Sequence, residues 1–500
     1  MSVSYVGSLS SSTLQSILDM RTQLDDLQRQ LGSGQKSTTY AGLGINRGVS
    51  TVMRSQLSAL QSYDSTIANV GVRLSVAQQV LDGADDLVHT VKNASVQTDF
   101  TIDQSGKTGE QTTAYNALDQ LLGSFNSRAG DRYLFSGMAV DQPAVVSTDL
   151  LMNGDASHAG FNQVLDQRRQ ADLGSDGLGR LDITQAGSAV TVAEDAVSPF
   201  GLKISAVNST LSGATVTGPT GSPASLNVNF TGNPTAGQQL SIGFNLPDGT
   251  TQTLTLTATT ASPPGDGQFT IGATPTDTAT NVQAALTSSI QKIGATTLTA
   301  ASAMAAGNDF FNTDSTHPPQ RVAGPPYDTA TALVNGSSAD TVQWYIGEDG
   351  PGSARTTASA TIDPSTTVNY GIRANEESLR NAVKNIAVFA AASFSATDPN
   401  AGAAYSALGT RVGAALDGSP GQQKISDISA QIAGAQQSFD SAKTRHSQTS
   451  DMLTNLLQNV EGVSQDDVGA QILSLQTSLQ ASLQTTALLS KMSLVNFLST

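Results

Sequence analysis

Apolar residues recur at helical spacing at both ends of the chain. The first stripe advances in steps of three and four residues through Ile17, Met20, Leu24, Leu27 and Leu31. This alternation is the heptad pattern of a helix that packs one apolar face against another helix. Glycines in the segment "GSGQ" (32–35) interrupt it, so the sequence predicts a first helix that ends there.

A second stripe has the same spacing and is longer. It comprises Val49, Met53, Gln56, Leu60, Tyr63, Ile67, Val70, Leu74, Ala77, Leu81, Ala84, Val88 and Val91. Gln56 is its one polar member, and no proline interrupts it. A heptad pattern of about six repeats is typical of a coiled coil. A third helix is predicted from Thr112 to Asn126.

The C-terminal region repeats this pattern. Its stripe comprises Ile425, Ile428, Ile432, Ala435, Phe439, Ala442, His446, Thr449, Leu453, Leu456, Val460 and Val463. The segment "GVSQDD" (462–467) interrupts the stripe, and a terminal helix then begins with Val468, Ile472, Leu475, Leu479 and Leu483. Because the N- and C-terminal stripes are one-sided and of comparable length, we expect them to pack against each other.

Between about 150 and 365 the pattern changes to short alternating apolar runs among many Thr, Ser, Gly and Pro residues. Such alternation predicts strands. A short helix is predicted inside this region, over Asp277–Ile293.

One hairpin can be given a register. In "QLSIGFNLPDGTTQTLTLTAT", a three-residue loop at 247–249 pairs Ile242 with Leu254 and Leu240 with Leu256. A two-residue loop would place these apolar residues on opposite faces of the sheet. The order Pro, Asp, Gly also suits a type I turn followed by a left-handed glycine. We therefore predict the three-residue loop.

Together these patterns predict an α+β multidomain chain. It is mainly α at both termini, as a long antiparallel coiled-coil helical bundle, with an inserted β-rich domain. The expected divisions are terminal helices at 1–40 and 465–500, a helical coiled-coil domain at 41–149 and 366–464, and the β-rich insertion at 150–365.

Composition narrows the classes of function. The formal net charge is −16, and no Lys/Arg run exceeds two residues, which argues against a nucleic-acid binder. Only 13% of residues are charged, and cysteine is absent, so thiolate chemistry and disulfides are excluded. The first residues carry neither the basic nor the apolar region of a signal peptide, and no apolar stretch is long enough to span a membrane. We expect no membrane insertion and, if the protein is exported, a route without a cleaved signal.

Candidate chemistry is sparse. The four histidines, His89, His158, His317 and His446, show no metal-binding spacing, and His446 is interpreted as a tolerated member of a helical stripe. The segment "SGKTGE" (105–110) has the end of a phosphate-binding loop but lacks its first glycine and a preceding strand.

Two further features lie close together near residue 347. The Gly-rich segment "GEDGPGS" (347–353) carries two carboxylates and is interpreted as a turn rather than a metal loop. Trp344 and Tyr345 suggest either a packed strand pair or a platform for stacking sugars. We predict no catalytic, cofactor-binding or metal-binding residue and no enzymatic activity.

Three stretches beside the predicted helix ends carry recognisable motifs. They are "LGSGQKSTTYAGLGI" (31–45), "AGDRYLFSGMAVDQPAV" (129–145) and "LLSKMSLVNFL" (488–498). These stretches resemble the flagellin family of bacterial flagellar proteins, and the run Tyr133, Leu134, Phe135, Ser136 and Gly137 resembles its hook–filament junction members. The first stretch departs from the family because Leu43 and Gly44 stand where the family has paired acidic residues, so any contact made by those acids is in doubt.

The resemblance implies a structural subunit that joins hook to filament, exported to the flagellum outside the cell. The terminal helices would be disordered in the free monomer and would form the contacts between subunits. The residues implicated are Ile17, Leu24, Leu27, Leu31, Leu475, Leu479, Leu483, Leu494 and Phe497. The implied partners are other copies in a ring or tube, the first hook-associated protein, flagellin and a flagellar export chaperone. The alternatives are a filament subunit, or an exported adhesin whose β domain binds glycans.

Overall fold

The structure is a computed structural model that describes residues 3–314 and 316–498, with side chains described for 11–314, 316–489 and 491. Its contacts divide the chain into two compact units. The terminal unit comprises Met1–Asn69, Thr361–Thr367 and Gln437–Thr500, and the central unit comprises Val70–Ala360 and Val368–Gln436. The chain is an α+β protein with long helices and several small sheets.

The helices include those predicted from the stripes, and three others, at 148–153, 161–173 and 299–311, lie largely within the region expected to be β-rich. The helices are α1 (Val3–Ser33), α2 (Arg47–Ser95), α3 (Gly109–Phe125), α4 (Thr148–Asn153), α5 (Phe161–Leu173), α6 (Pro275–Ile293), α7 (Thr299–Phe311), α8 (Glu377–Ala391), α9 (Ala401–Asp417), α10 (Ile425–Glu461) and α11 (Gln465–Leu498). The two predicted interruptions separate α1 from α2 and α10 from α11. Local capping explains some starts: Thr108 and Gln111 form a capping box at α3, and Thr274 and Asp277 form one at α6.

The strands lie mainly in the predicted β region. They are β1 (Arg128–Ala129), β2 (Arg132–Tyr133), β3 (Leu181–Ala186), β4 (Ala189–Glu194), β5 (Lys203–Ser209), β6 (Ala214–Thr220), β7 (Ser225–Phe230), β8 (Gln239–Asn245), β9 (Thr251–Thr259), β10 (Gln268–Thr270), β11 (Gln320–Val322), β12 (Leu333–Asn335), β13 (Ser359–Asp363) and β14 (Thr366–Asn369). Two four-stranded sheets have the orders β3-β4-β7-β6 and β10-β9-β8-β5, and β1-β2, β11-β12 and β13-β14 form two-stranded sheets.

The predicted hairpin register is confirmed. In the β8–β9 pair, Ile242 lies opposite Leu254 and Leu240 lies opposite Leu256. The Leu246 N–H donates to the Thr250 carbonyl over 2.8 Å, which leaves three residues in the loop. Gly249, the third of these, has φ +83°, as the left-handed position requires.

The core of the central unit includes one part between the sheets and another between helices. The two four-stranded sheets and α6 enclose a cluster that includes Val190, Val228, Phe244, Leu256 and Leu286, all buried. The other part packs α7 against α5, α8 and α9. At Gly307 of α7, an added Cβ would lie 2.6 Å from Cγ2 of Val388 in α8, so these two helices approach too closely for any side chain at that position.

In the terminal unit, helices pair in antiparallel fashion. Leu27 of α1 forms a buried cluster with Val468 and Ile472 of α11, as expected from the two terminal stripes. Glu461 of α10 bonds to Ser50 and Arg54 near the start of α2, while His446 of α10 bonds to Asp64, further along α2. Residue numbers therefore increase along α2 in the direction in which they decrease along α10, so these two helices are antiparallel.

Candidate functional site

The predicted contact residues of the terminal helices differ in burial. Ile17 and Leu27 are buried, while Leu24, Leu475 and Leu479 are half-buried. Leu31 and Leu483 are exposed, at 37% and 42%. The side chains of Leu494 and Phe497 lie outside the described residues. Where they are buried, the two stripes cover each other, which is the packing expected of them.

A second set of leucines on the same helices remains open to solvent. Its members are Leu14 and Leu18 on α1, and Leu473, Leu488 and Leu489 on α11. Sequence analysis missed them because they stand beside the heptad stripe rather than on it. We call this set, with Leu31 and Leu483, the open leucines. Most of the exposed large apolar side chains described for the chain lie in the terminal unit.

The two interruptions between the helices lie side by side. The Lys36 N–H donates to the Glu461 carbonyl over 2.7 Å, and the Val463 N–H donates to the Gly34 carbonyl over 3.0 Å. Nζ of Lys36 also donates to the carbonyls of Asn459 and Val460, at 3.1 and 3.0 Å. A cation at the last carbonyls of α10 favours that helix end.

The junction stretch that follows is more open. Residues Tyr40–Asn46 form a short 3-10 segment, and Ile45 is 97% exposed. The stretch ends beside an ion pair, in which Nη2 of Arg54 lies 2.6 Å from Oε2 of Glu461. Hydrogen bonds from Arg54 and Ser50 lower the pKa of Glu461 below its ordinary value. Glu461 thus stays ionised and joins α2 to α10.

The motif at 133–137 is structural in the central unit. Phe135 is fully buried and its ring lies 5.5 Å from that of Phe125. Ser136 is also buried and bridges to Arg373, and Gly137 has φ +65°. A Cβ at Gly137 would lie 2.6 Å from Oε2 of Glu348, so the position requires glycine. Tyr133 and Leu134 are half-buried.

The rejected motifs have structural roles. Nζ of Lys107 donates to the carbonyls of Ala390, Ala391 and Ala392 at 2.7, 2.5 and 2.8 Å, so it caps the end of α8. Burial lowers the pKa of Lys107 to about 8. Glu348 in the Gly-rich turn pairs with Arg373 through both carboxylate oxygens, at 2.9 and 3.0 Å.

The sugar-platform interpretation of residues 344 and 345 is wrong. Trp344 is 1% exposed, and its Nε1–H donates to the Phe311 carbonyl over 3.2 Å. The hydroxyl of Tyr345 donates to the Glu348 carbonyl over 2.9 Å. A buried indole cannot stack on a sugar, so this pair belongs to the core.

Within the described part of the chain, no cluster of three or more His, Asp or Glu side chains could hold a metal ion. None of the helices described here is long and apolar enough to cross a membrane. Compared with known proteins, the chain matches no family model and no curated protein sequence.

Proposed function

We propose that this chain is a structural subunit of the bacterial flagellum that joins hook to filament, of the hook-associated protein 3 type within the flagellin family. The motifs at 31–45, 129–145 and 488–498 suggest the family. The observation that carries the proposal is the set of open leucines, which lies on the paired terminal helices and which a single chain leaves exposed.

The proposed mechanism of assembly is apolar burial between copies. Fully burying one leucine side chain stabilises by about 1.5–3 kcal/mol. Several such residues on each subunit, repeated around a closed ring, give a cohesive contact without covalent chemistry. The antiparallel pairs α1–α11 and α2–α10 would serve as the coiled-coil bundle that presents them.

The proposal includes location and partners. The subunit would be exported to the flagellum with the aid of an export chaperone. It would contact the first hook-associated protein on one side and flagellin on the other, with no role for nucleic acid or membrane insertion. A flagellin-like filament subunit is the alternative, and copies per flagellum distinguish them: thousands for a filament and about a dozen for a junction ring, as the family resemblance implies.

The test is a double substitution on α11. Leu473 and Leu488 are 67% and 62% exposed, so changing both to Ala should leave the thermal midpoint of the monomer unchanged. Cells that carry L473A/L488A should export the protein yet shed unpolymerised flagellin into the medium. A matched control, M138A/V197A, alters two residues that are each 63% exposed in the central unit, and it should give normal filaments. Normal filaments on L473A/L488A would contradict the proposal.

A further inference from the structure

A buried histidine lies between two carboxylates in the terminal unit. The side chain of His446, on α10, is 2% exposed. Its Nδ1 lies 2.6 Å from Oδ1 of Asp64, on α2. Its Nε2 lies 2.9 Å from Oδ1 of Asp363, at the end of β13. One imidazole ring therefore joins three separate segments of the chain: its own helix and the two that it contacts.

This geometry determines the protonation of the ring. An ionised carboxylate can only accept hydrogen bonds, and a neutral imidazole has a single N–H to donate. A neutral His446 would turn a lone pair toward Asp64 or toward Asp363, at hydrogen-bond distance, in a buried setting. Only the imidazolium form donates to both.

The other groups that face the ring do not change this conclusion. Nη2 of Arg445, also on α10, lies 2.6 Å from Oδ2 of Asp363. On α2, the ring of Tyr63 lies 6.1 Å from the imidazole, centre to centre. Asp64 and Asp363 supply two negative charges, and Arg445 supplies one positive charge. The cluster is neutral when His446 is protonated and carries a net negative charge when it is not.

We propose that protonated His446 is a clasp that holds the segment Thr361–Thr367 against α2 and α10, and that the clasp opens as pH rises. The segment comes from the middle of the sequence but belongs to the terminal unit. The carboxylate of Asp363 in this segment accepts hydrogen bonds from His446 and Arg445 of α10. The inference does not depend on the proposed flagellar function.

The electrostatics agree with the geometry. Burial lowers the pKa of His446, but hydrogen bonds and attraction from Asp64 and Asp363 outweigh it, so the pKa is raised above the ordinary 6.5. The hydrogen bond from His446 also lowers the pKa of Asp363. Because the pKa of His446 is raised, its contribution to docking of the segment is complete below pH 6.5. This contribution is lost as the pH rises through the pKa that His446 has in the docked state.

The experiment measures the ring and the segment in the full chain. Nitrogen-15 NMR should show both His446 nitrogens protonated at pH 6, with a titration midpoint above the ordinary 6.5. Amide-exchange protection of 361–367, corrected for intrinsic rates, should fall across that midpoint. Thermodynamic linkage gives the expected size of this fall. Protection should decrease tenfold for each pH unit by which the titration midpoint of His446 exceeds 6.5.

Variants separate the clasp from a general pH effect. H446Q should lower protection of 361–367 at pH 6 to the level that the native chain shows at high pH, and should remove the pH dependence. H89Q, which alters an exposed histidine on α2, should behave as the native chain does. A His446 midpoint at or below 6.5 would overturn the proposal, and this readout needs no variant to fold. So would native protection of 361–367 in H446Q.

Discussion

At the scale of single residues, the role of a side chain depends on partners that are distant from it in sequence. From sequence, His446 is one more member of a heptad stripe. Its partners Asp64 and Asp363 are not recognisable there, because they are 382 and 83 residues away in sequence. Spacing rules detect neighbours on one helix, not groups that the fold brings together. The stripe correctly predicted that His446 is buried, but not its ion pairs.

Lys107 gives a test at this scale. K107M should remove three hydrogen bonds from the ammonium to the end of α8, and a bond to a charged group contributes about 1.5–3 kcal/mol. We expect the central unit to lose at least about 2 kcal/mol in urea unfolding. K292M, which removes an exposed ion pair with Asp266, should cost much less, because exposed ion pairs contribute little to stability. Equal losses in the two variants would contradict the capping role.

At the scale of elements, periodicity predicted the helices well. The stripes anticipated α1, α2, α10 and α11, because burial against a neighbouring helix imposes the same spacing on any amphipathic helix. Burial along α2 is uneven, however. Val49 is exposed and Met53 half-buried, whereas every stripe member from Ile67 to Val91 is buried. The sequence carries no sign of this gradient, which depends on what else packs nearby.

The buried half of the α2 stripe can be tested by placing an aspartate at one buried and one exposed position of that helix. L74D places a carboxylate where the native side chain is 1% exposed, and should cost at least about 3 kcal/mol. V72D introduces the same residue two positions away, at a side chain that is 62% exposed. It should shift the circular dichroism melt little. Similar melts for both variants would show that the stripe is not buried.

At the scale of the whole molecule, sequence patterns predicted an α+β chain with helical ends and a β-rich middle. The boundaries proposed for its domains, at 150 and 365 among others, remain predictions. What patterns could not supply is the packing of α7 on α8 and α9, which joins segments about 80 and 100 residues apart. Its small residues, Ala303, Ala306 and Gly307, give no periodic apolar signal as strong as that of a leucine stripe.

This packing changes the expected result of a deletion. From sequence alone, removal of 150–365 should leave the helical melt nearly intact. Because α7 lies within that range and covers α8, we now expect faster amide exchange in Ala382–Ala391 after the deletion. G307L should produce the same change in the full chain, since a Cβ there would meet Val388 at 2.6 Å. If amide exchange stayed at the native rate in both variants, α7 would not contribute to the stability of α8, and the prediction would be wrong.

The two helix interruptions have a mechanical consequence. Gly34–Lys36 and Glu461–Val463 break both long helices at one level and are joined there by the backbone bonds from Lys36 and Val463. A bending load on the paired helices would concentrate at this level, because intact helices on either side resist flexing along their whole length. The chain can bend at these two backbone hydrogen bonds with little change in the packing of the leucines on either side. We therefore expect this level to act as a flexure, at which the two polypeptide segments bend together.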